Sequence, residues 1–502
     1  MSDIILPAPT PERPEILAPA GDAQCFTAAL AAGADAVYLG LKHFSARMQA
    51  ENFGLTDLSR LTDLAHEEQA RVYVAMNVLV KPQETAAAYR LIHRLARQVR
   101  PDGIIVQDLA MLDLARQAGF EGEINLSTLA NITHPQGLQT AKDLGASRVI
   151  LPRELSIDEI REKYGIERVI KLASNENPLG TSPLVQHTLE THVGLAFRYP
   201  QAGNPRLVKA IAAHHGVSPS RIIVGDGSDE VIDLLFRICV EPGVNNAVAF
   251  MPCFGIYTTQ AALCGVELRQ TPVNADFSFP WDNLLKLVDD KTSLVFVTTP
   301  DNPSGYTPPV AELETLAKAL PDTCLLVLDE AYMDFTDDEA DYSLAKRLDE
   351  FPNVIISRTF SKSFGMAGLR LGYAIVPEEL ADHYWRVRLP FSVNLMAEEA
   401  GIAALQDVAF HDETVRVVRE GRAWLTGELT KLGCRVFPSQ SNFLMFELPA
   451  DGPNAASLFE DLLRRGIILR PLTSYGLPRN LRVSVGTAEE NTMLINAMRE
   501  LL

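Results

Sequence analysis

Residues 357–373 read Ser-Arg-Thr-Phe-Ser-Lys-Ser-Phe-Gly-Met-Ala-Gly-Leu-Arg-Leu-Gly-Tyr. The apolar run before them, 354–356, reads as a strand that ends in a hydroxyl-rich turn carrying Lys362, with Arg370 eight residues further on and glycines between. A strand end is a rigid seat for a lysine that forms a Schiff base beside a bound phosphate. The hydroxyls of Thr359 and Ser361 can donate to phosphate oxygens, and the Arg370 guanidinium can grip the same anion bidentately. Alone, a lysine in a polar turn is as easily a solvated surface residue. The chain upstream decides between the two.

Short apolar runs recur at 222–225, 248–251, 294–298, 325–328 and 354–357, each followed by turn residues and usually by a helical window. That alternation implies an α/β fold with a parallel sheet, in which ligands sit beyond the C-terminal strand ends. Val224-Gly-Asp-Gly-Ser-Asp-Glu leads through glycines into a helix expected over 231–240, so Gly227, Ser228 and Asp229 would offer free backbone N–H groups to an anion. A dinucleotide fingerprint would need glycine where Glu230 stands. In Pro252-Cys-Phe-Gly-Ile-Tyr, Phe254 follows a strand and could stack on a flat ring, although burial in a core is the ordinary fate of a phenylalanine. Asn302, in the turn-forming segment Pro300-Asp-Asn-Pro-Ser-Gly, can donate to a phenolic oxygen. Leu325-Leu-Val-Leu-Asp-Glu-Ala-Tyr ends an apolar run in Asp329. Without a Gly-x-x-x-x-Gly-Lys-Ser/Thr loop there is no nucleotide triphosphate site for that carboxylate to serve. It is better placed to keep a pyridinium nitrogen protonated, with Tyr332 able to reach the ring oxygen. Taken in order, these are the parts of a pyridoxal 5′-phosphate site.

Tyr199, the loop 225–229, Phe254, Asn302, Asp329, Tyr332, Lys362 and Arg370 have the order and spacing of a fold-type I aminotransferase. Residues 156–502 resemble the histidinol-phosphate aminotransferase family through Lys171-Leu-Ala-Ser-Asn-Glu-Asn-Pro-Leu-Gly, Arg198-Tyr-Pro, Asp329-Glu-Ala-Tyr, Ser361-Lys-Ser-Phe-Gly-Met-Ala-Gly-Leu-Arg, Gly466-Ile-Ile-Leu-Arg and Leu481-Arg-Val-Ser-Val-Gly-Thr. The resemblance implies a large α/β domain over about 190–395 and a small α+β domain over about 156–189 and 396–502. It implies a homodimer in which Tyr199 reaches the neighbouring subunit's cofactor phosphate, and a substrate held by Asn177, Arg470 and Arg482. The implied reaction is transamination from L-histidinol phosphate to 2-oxoglutarate, with Lys362, Asp329 and Tyr332 as its catalytic groups. An aromatic amino acid donor, or decarboxylation of a phosphorylated amino acid, fits the same motifs. Members of the family begin with a short arm whose aromatic residue lies over the partner's active site. Here the residues before 156 take the arm's place.

Those residues follow a second pattern. Four prolines between 7 and 14 read as an extended leader, after which candidate strands at 16–19, 36–41, 71–76, 103–107, 123–127 and 148–151 alternate with helical windows such as 58–70 and 86–99. Six βα units make most of a (β/α)₈ barrel without closing it. Glu-Ile-Leu-Ala-Pro-Ala-Gly-Asp at 15–22, Gly-Ala-Asp-Ala-Val-Tyr-Leu-Gly at 33–40, Phe44 to Arg47, Asn52-Phe53 and Gly-Ala-Ser-Arg-Val-Ile-Leu-Pro-Arg-Glu-Leu-Ser at 145–156 resemble the start of the collagenase-like peptidase family U32. That family continues into a cysteine-rich segment, and this chain has no cysteine between Cys25 and Cys239. The resemblance therefore implies a truncated barrel over 15–155, whose possible roles range from a hydrolase or RNA-linked module to an inert appendage. Ser156 and Glu159 form a capping-box pattern at the junction, which reads as an in-frame fusion without a spacer.

Composition limits the alternatives. With 502 residues, 47% hydrophobic and 22% charged, the chain can bury more than one core. A net charge of −19 disfavours broad nucleic-acid binding. The six cysteines lack any C-x-x-C pair, so neither a metal site nor a disulfide framework is expected. Without a signal sequence or an apolar run of membrane length, the expected location is the cytoplasm.

Overall fold

The computed structural model describes residues 16–41, 44–45, 53–130, 135–150, 161 and 164–502. It divides into two compact units, 1–158 and 159–502. The leader and the capping box at Ser156 lie outside the described residues, as does part of the 44–53 motif.

In the first unit, strands β1 (Leu17–Ala20), β2 (Ala36–Gly40), β3 (Arg71–Met76), β4 (Gly103–Val106), β5 (Glu123–Leu126) and β6 (Arg148–Val149) form one sheet in sequential order. Every neighbouring pair is parallel. Each chain reversal therefore runs through a helix, and each helix buries an apolar stripe: Phe26 in Ala23–Ala31, Leu58 in Leu55–Glu67, Ile92 in Thr85–Arg94 and Met111 in Ala110–Gln117. These side chains share one core with Val37, Val72, Val74 and Ile104. The opposite sheet face gathers Ala36, Tyr73 and Ile105. All six strands fall within two residues of their expected bounds.

The second unit opens with β7 (Ile170–Lys171) and is built on β8 (Ile222–Asp226), β9 (Asn246–Met251), β10 (Glu267–Pro272), β11 (Thr292–Thr298), β12 (Leu325–Asp329), β13 (Val354–Thr359) and β14 (Leu371–Ile375), ordered β10-β9-β11-β12-β13-β14-β8. The sheet is mixed, not purely parallel, because β14 runs antiparallel to both β13 and β8. Two strands escape sequence reading. Glu-Leu-Arg-Gln-Thr-Pro of β10 is a polar edge, and β14 lies inside the lysine motif itself. Central strands need no alternation because both faces are covered: Leu326 and Leu328 enter one core and Val327 the other, all with no solvent exposure. Each such side chain contributes about 1.5–3 kcal/mol by leaving water.

A smaller lobe follows, with β15 (Arg435–Val436), β16 (Phe443–Glu447), β17 (Ile467–Ile468), β18 (Arg470–Pro471) and β19 (Asn480–Ser484). Four of these form the antiparallel sheet β15-β16-β19-β18, while β17 pairs in parallel with β7. The helix Val408–Lys431 covers the sheet through Val418, Leu425 and Leu429. The lobe boundary differs from the expected residue 396. The helix Leu395–Gln406 buries Ala397, Ala400, Ala403 and Ala404 in the larger core, as Pro183–His192 does Val185, so both belong with the seven-stranded sheet.

Candidate active site

β8, β11, β12 and β13 point the same way, so their C-terminal ends share one sheet edge. Lys362 lies in the turn after β13. Its Nζ donates to the Ser174 carbonyl at 3.5 Å and sits 5.5 Å from the centre of the Tyr332 ring.

Asp329 ends β12 with 2% of its surface exposed. Its Oδ2 accepts the Tyr257 hydroxyl at 2.7 Å, while Oδ1 is buried without a hydrogen-bond partner. Burial pushes this carboxyl up to about 6 against the lowering effect of Tyr257. A buried carboxylate oxygen with no partner is uncommon unless a ligand completes it. A protonated ring nitrogen is the right complement. Phe254 caps the helix Gly255–Cys264 one turn before Tyr257, which brings its ring edge-on to Tyr257 at 6.1 Å.

The anion seat is equally local. The helix Gly227–Cys239 starts as β8 ends, with Asp226 as N-cap and Gly227 at φ +75°, so the N–H groups of Ser228 and Asp229 are free ends of a helix, while that of Gly227 is taken by the Arg370 carbonyl. Arg370 pairs with Asp229 at 3.1 Å. A Cβ on Gly227 would lie 2.3 Å from the Arg370 guanidinium, so glycine is required there. Arg370 itself adopts φ +52°, held by its carbonyl accepting from the Gly227 N–H at 3.1 Å. Thr359 differs from expectation. Its hydroxyl donates to the Leu371 carbonyl at 3.4 Å and accepts from Ser361 N–H at 3.0 Å, so it braces the turn.

Asn302 accepts at Oδ1 from Arg482 Nη1. Arg482 also donates to the Ala173 carbonyl at 2.8 Å, and its Nε is buried without a partner. In the β18–β19 register Arg470 stands directly opposite Arg482. Like charges opposite each other destabilise a sheet unless an anion joins them.

Two expected residues remain, Asn177 and Tyr199, the latter expected to serve a neighbouring subunit. Asn177 Nδ2 donates to the Ser363 carbonyl at 2.8 Å and to Thr414 Oγ1 at 3.3 Å, and its Oδ1 accepts from Leu179 N–H at 2.9 Å, so its amide is spent within the chain. Tyr199 is 80% exposed and stacks on Phe391 at 4.7 Å. It is turned outward rather than into this chain's own site.

Sequence reasoning missed Tyr257, Thr298 and Asn175. Tyr257 also shares its hydroxyl with Thr298 at 2.8 Å, and Asn175 donates to the Tyr332 hydroxyl at 3.0 Å. The signal for Tyr257 was its place one helical turn after Phe254. Asn175 lay within the quoted Lys171 motif without a role.

The family model for aminotransferase class I and II matches residues 167–498, and that for peptidase family U32 matches 21–169. The chain is 63% identical over 348 residues to a histidinol-phosphate aminotransferase of Nitratidesulfovibrio vulgaris, covering 69% of this chain and 92% of that one. It is 39% identical over 347 residues to that of Shouchella clausii, with 69% and 93% covered. Among solved structures it is similar to the histidinol-phosphate aminotransferase of Sinorhizobium meliloti in complex with pyridoxal-5′-phosphate, at a TM-score of 0.62 and 28% identity over 70% of this chain and 96% of that one.

Proposed function

This chain belongs to the class I and II aminotransferase family, and from that membership we propose that it binds pyridoxal 5′-phosphate and transfers the amino group of L-histidinol phosphate to 2-oxoglutarate. The products are imidazole acetol phosphate and L-glutamate. The observation that carries the cofactor is the unpartnered Oδ1 of Asp329 at the end of β12. The relatives' shared activity supports the donor.

The residues present fit the group. Asp329 would hold its ring nitrogen, Asn302 and Tyr332 its ring oxygen, and Phe254 a ring face. The N–H groups of Ser228 and Asp229 at the helix start, Ser361 and Arg370 would hold its phosphate. When bound, the cofactor supplies an electron-withdrawing ring that accepts the electron pair left on the substrate carbon. Lys362 Nζ would take the proton from the amine-bearing carbon of the donor as base and give it back as acid. Asp329 would serve as a fixed negative charge in a dry site, where such a charge is worth most. Arg470 and Arg482 seat the anionic end of the donor, whether phosphate or carboxylate, which is also how 2-oxoglutarate enters.

The active form in this reading is a homodimer. Phe197, Tyr199, Leu389 and Phe391 are exposed, and the stacking of Tyr199 on Phe391 joins their two segments. Such a patch on a monomer would be unusual. Tyr199 then serves the neighbouring subunit's phosphate. Among the described residues no helix is long and apolar enough to cross a membrane, in keeping with a cytoplasmic enzyme.

The test is the visible absorption of the full chain with pyridoxal 5′-phosphate, titrated separately with L-histidinol phosphate and phenylalanine. Conversion of the band at far lower histidinol phosphate concentration supports the proposal. Conversion by phenylalanine alone gives an aromatic aminotransferase, and release of carbon dioxide from a phosphorylated amino acid gives a decarboxylase. No band at all refutes the cofactor assignment. In Lys362→Ala, the cofactor should bind but resist fixation to the chain by borohydride.

A further inference from the structure

We infer that Ser363, Asp334 and Asn177 are positioning residues that latch the Lys362 turn to one face of the helix Val408–Lys431, an inference that rests on the transaminase reading of the same site.

Ser363 follows Lys362 directly and has no solvent exposure. Its hydroxyl donates to Asp334 Oδ2, and its carbonyl accepts from Asn177 Nδ2 at 2.8 Å. With both polar ends held, the peptide after the lysine cannot rotate freely. The lysine stem therefore leaves the chain in one direction.

Both anchors lead to the same helix. Asn177 Nδ2 also donates to Thr414 Oγ1 at 3.3 Å. Asp334 faces His411 Nε2 at 3.7 Å, an ion-pair distance too long for a hydrogen bond, and that nitrogen is buried with no hydrogen-bond partner. His411 and Thr414 are three residues apart and so share a helical face. The Asp334 side chain is 20% exposed, and it also faces the Arg358 guanidinium, with Nη1 at 3.8 Å. Around this cluster Arg358 is bound in turn by Glu330 at 2.6 Å and Glu339 at 2.7 Å. Immediately after the latch, the Thr181 hydroxyl donates to the Gly365 carbonyl at 2.7 Å. Gly365 has φ +66°, and a Cβ there would sit 2.0 Å from the Gly180 carbonyl oxygen, so the 177–181 segment lies tight against the turn.

The consequence is mechanical. The helix Val408–Lys431 covers the smaller lobe's sheet, whereas Lys362 extends from the larger sheet. Two polar links from one helical face to one residue make movement of the helix against the turn a movement of Lys362. A lysine that must reach two carbons in one turnover depends on that placement.

The experiment compares Ser363→Ala and Asp334→Asn with the parent full chain, each loaded with pyridoxal 5′-phosphate. It reads the pH titration of the visible band, kcat and KM, and the unfolding temperature. Asparagine keeps an oxygen for the Ser363 hydroxyl, so Asp334→Asn is the conservative variant. In Ser363→Ala the titration midpoint should move by about half a pH unit or more, with kcat down about tenfold and KM within about twofold, while the cofactor stays bound. Asp334→Asn, which keeps an acceptor for Ser363 but removes the charge facing His411 and Arg358, should lower kcat less than Ser363→Ala does. Superposition of Ser363→Ala on the parent in titration and kcat overturns the inference, as does a lowered unfolding temperature with no change in the band. A parent chain without any band removes the functional reading and this inference together.

Discussion

Asp329 is ionisable, dry and half-satisfied, and its charge has a calculable effect. Burial raises it to about 6 from the ~3.9 of an unfolded aspartate. A raised acid favours the protonated folded form, so its stabilising contribution is complete below about pH 4 and is lost as pH rises through about 6. Asp329→Asn has no charge to bury. In the cofactor-free chain it should gain on the parent across that window, by up to about 3 kcal/mol, and the gap should narrow once the cofactor's ring cation is present. Thermal unfolding of both proteins at pH 4 to 7 measures this, and a constant difference refutes it. Tyr257→Phe acts on the same carboxylate by removing its 2.7 Å O–H donor. It should cost about 1–3 kcal/mol and raise Asp329 further, moving the acid limb of the kcat/KM profile to higher pH. An unmoved limb would leave Tyr257 a packing residue. At this scale the sequence is legible where chemistry is local. Lys362, Asp329, Asn302 and Arg370 each stand in a short run whose pattern implies a strand end and a turn. Tyr257 meets Asp329 across 72 positions and Asn175 meets Tyr332 across 157, and no pattern along the chain encodes such meetings. Asn177 likewise meets its acceptors 186 and 237 positions away.

The proposed seat for the phosphate lies where β8, the helix Gly227–Cys239 and β14 come closer than side chains permit. A Cβ on Gly372 would lie 2.2 Å from the Ser228 nitrogen, just as one on Gly227 would meet Arg370. Gly227→Ala therefore combines left-handed strain of roughly 1–2 kcal/mol with displacement of the arginine. It should weaken pyridoxal 5′-phosphate binding at least tenfold, read by titration of the visible band. Gly368→Ala is the control, since a Cβ there meets nothing within 4 Å. Equal affinity in both variants would remove Arg370 from the phosphate site. The glycines of the motif were visible from the start as turn formers, but the strand β14 between them was not. Leu-Gly-Tyr-Ala-Ile has the apolar content of a strand, but its start falls within the Lys362 motif, whose turn residues mask it. Likewise the helix Leu395–Gln406 carries alanines that suit either lobe, and only packing assigns them to the larger core.

At the scale of the molecule, the parallel order of β1 to β6 and the mixed order of the seven-stranded sheet are two separate solutions to burying apolar strands. Each has its own core, Phe26 through Ala141 in one and Val185 through Ala404 in the other. The two alternating patterns were readable because period and spacing are intrinsic to each half. Separate cores allow separate unfolding, and a ligand stabilises only the state it binds, by RT ln(1 + [L]/Kd). All the residues assigned to pyridoxal 5′-phosphate lie in residues 159–502. Calorimetry of the full chain should therefore show two transitions, with only the larger moving upward as cofactor is added, by about 2.7 kcal/mol at a hundredfold excess over Kd. The smaller transition, belonging to the six-stranded unit, should hold its position. A single transition that moves as a whole would mean that the six-stranded unit folds only with the transaminase, and would turn an appendage into part of the enzyme's scaffold.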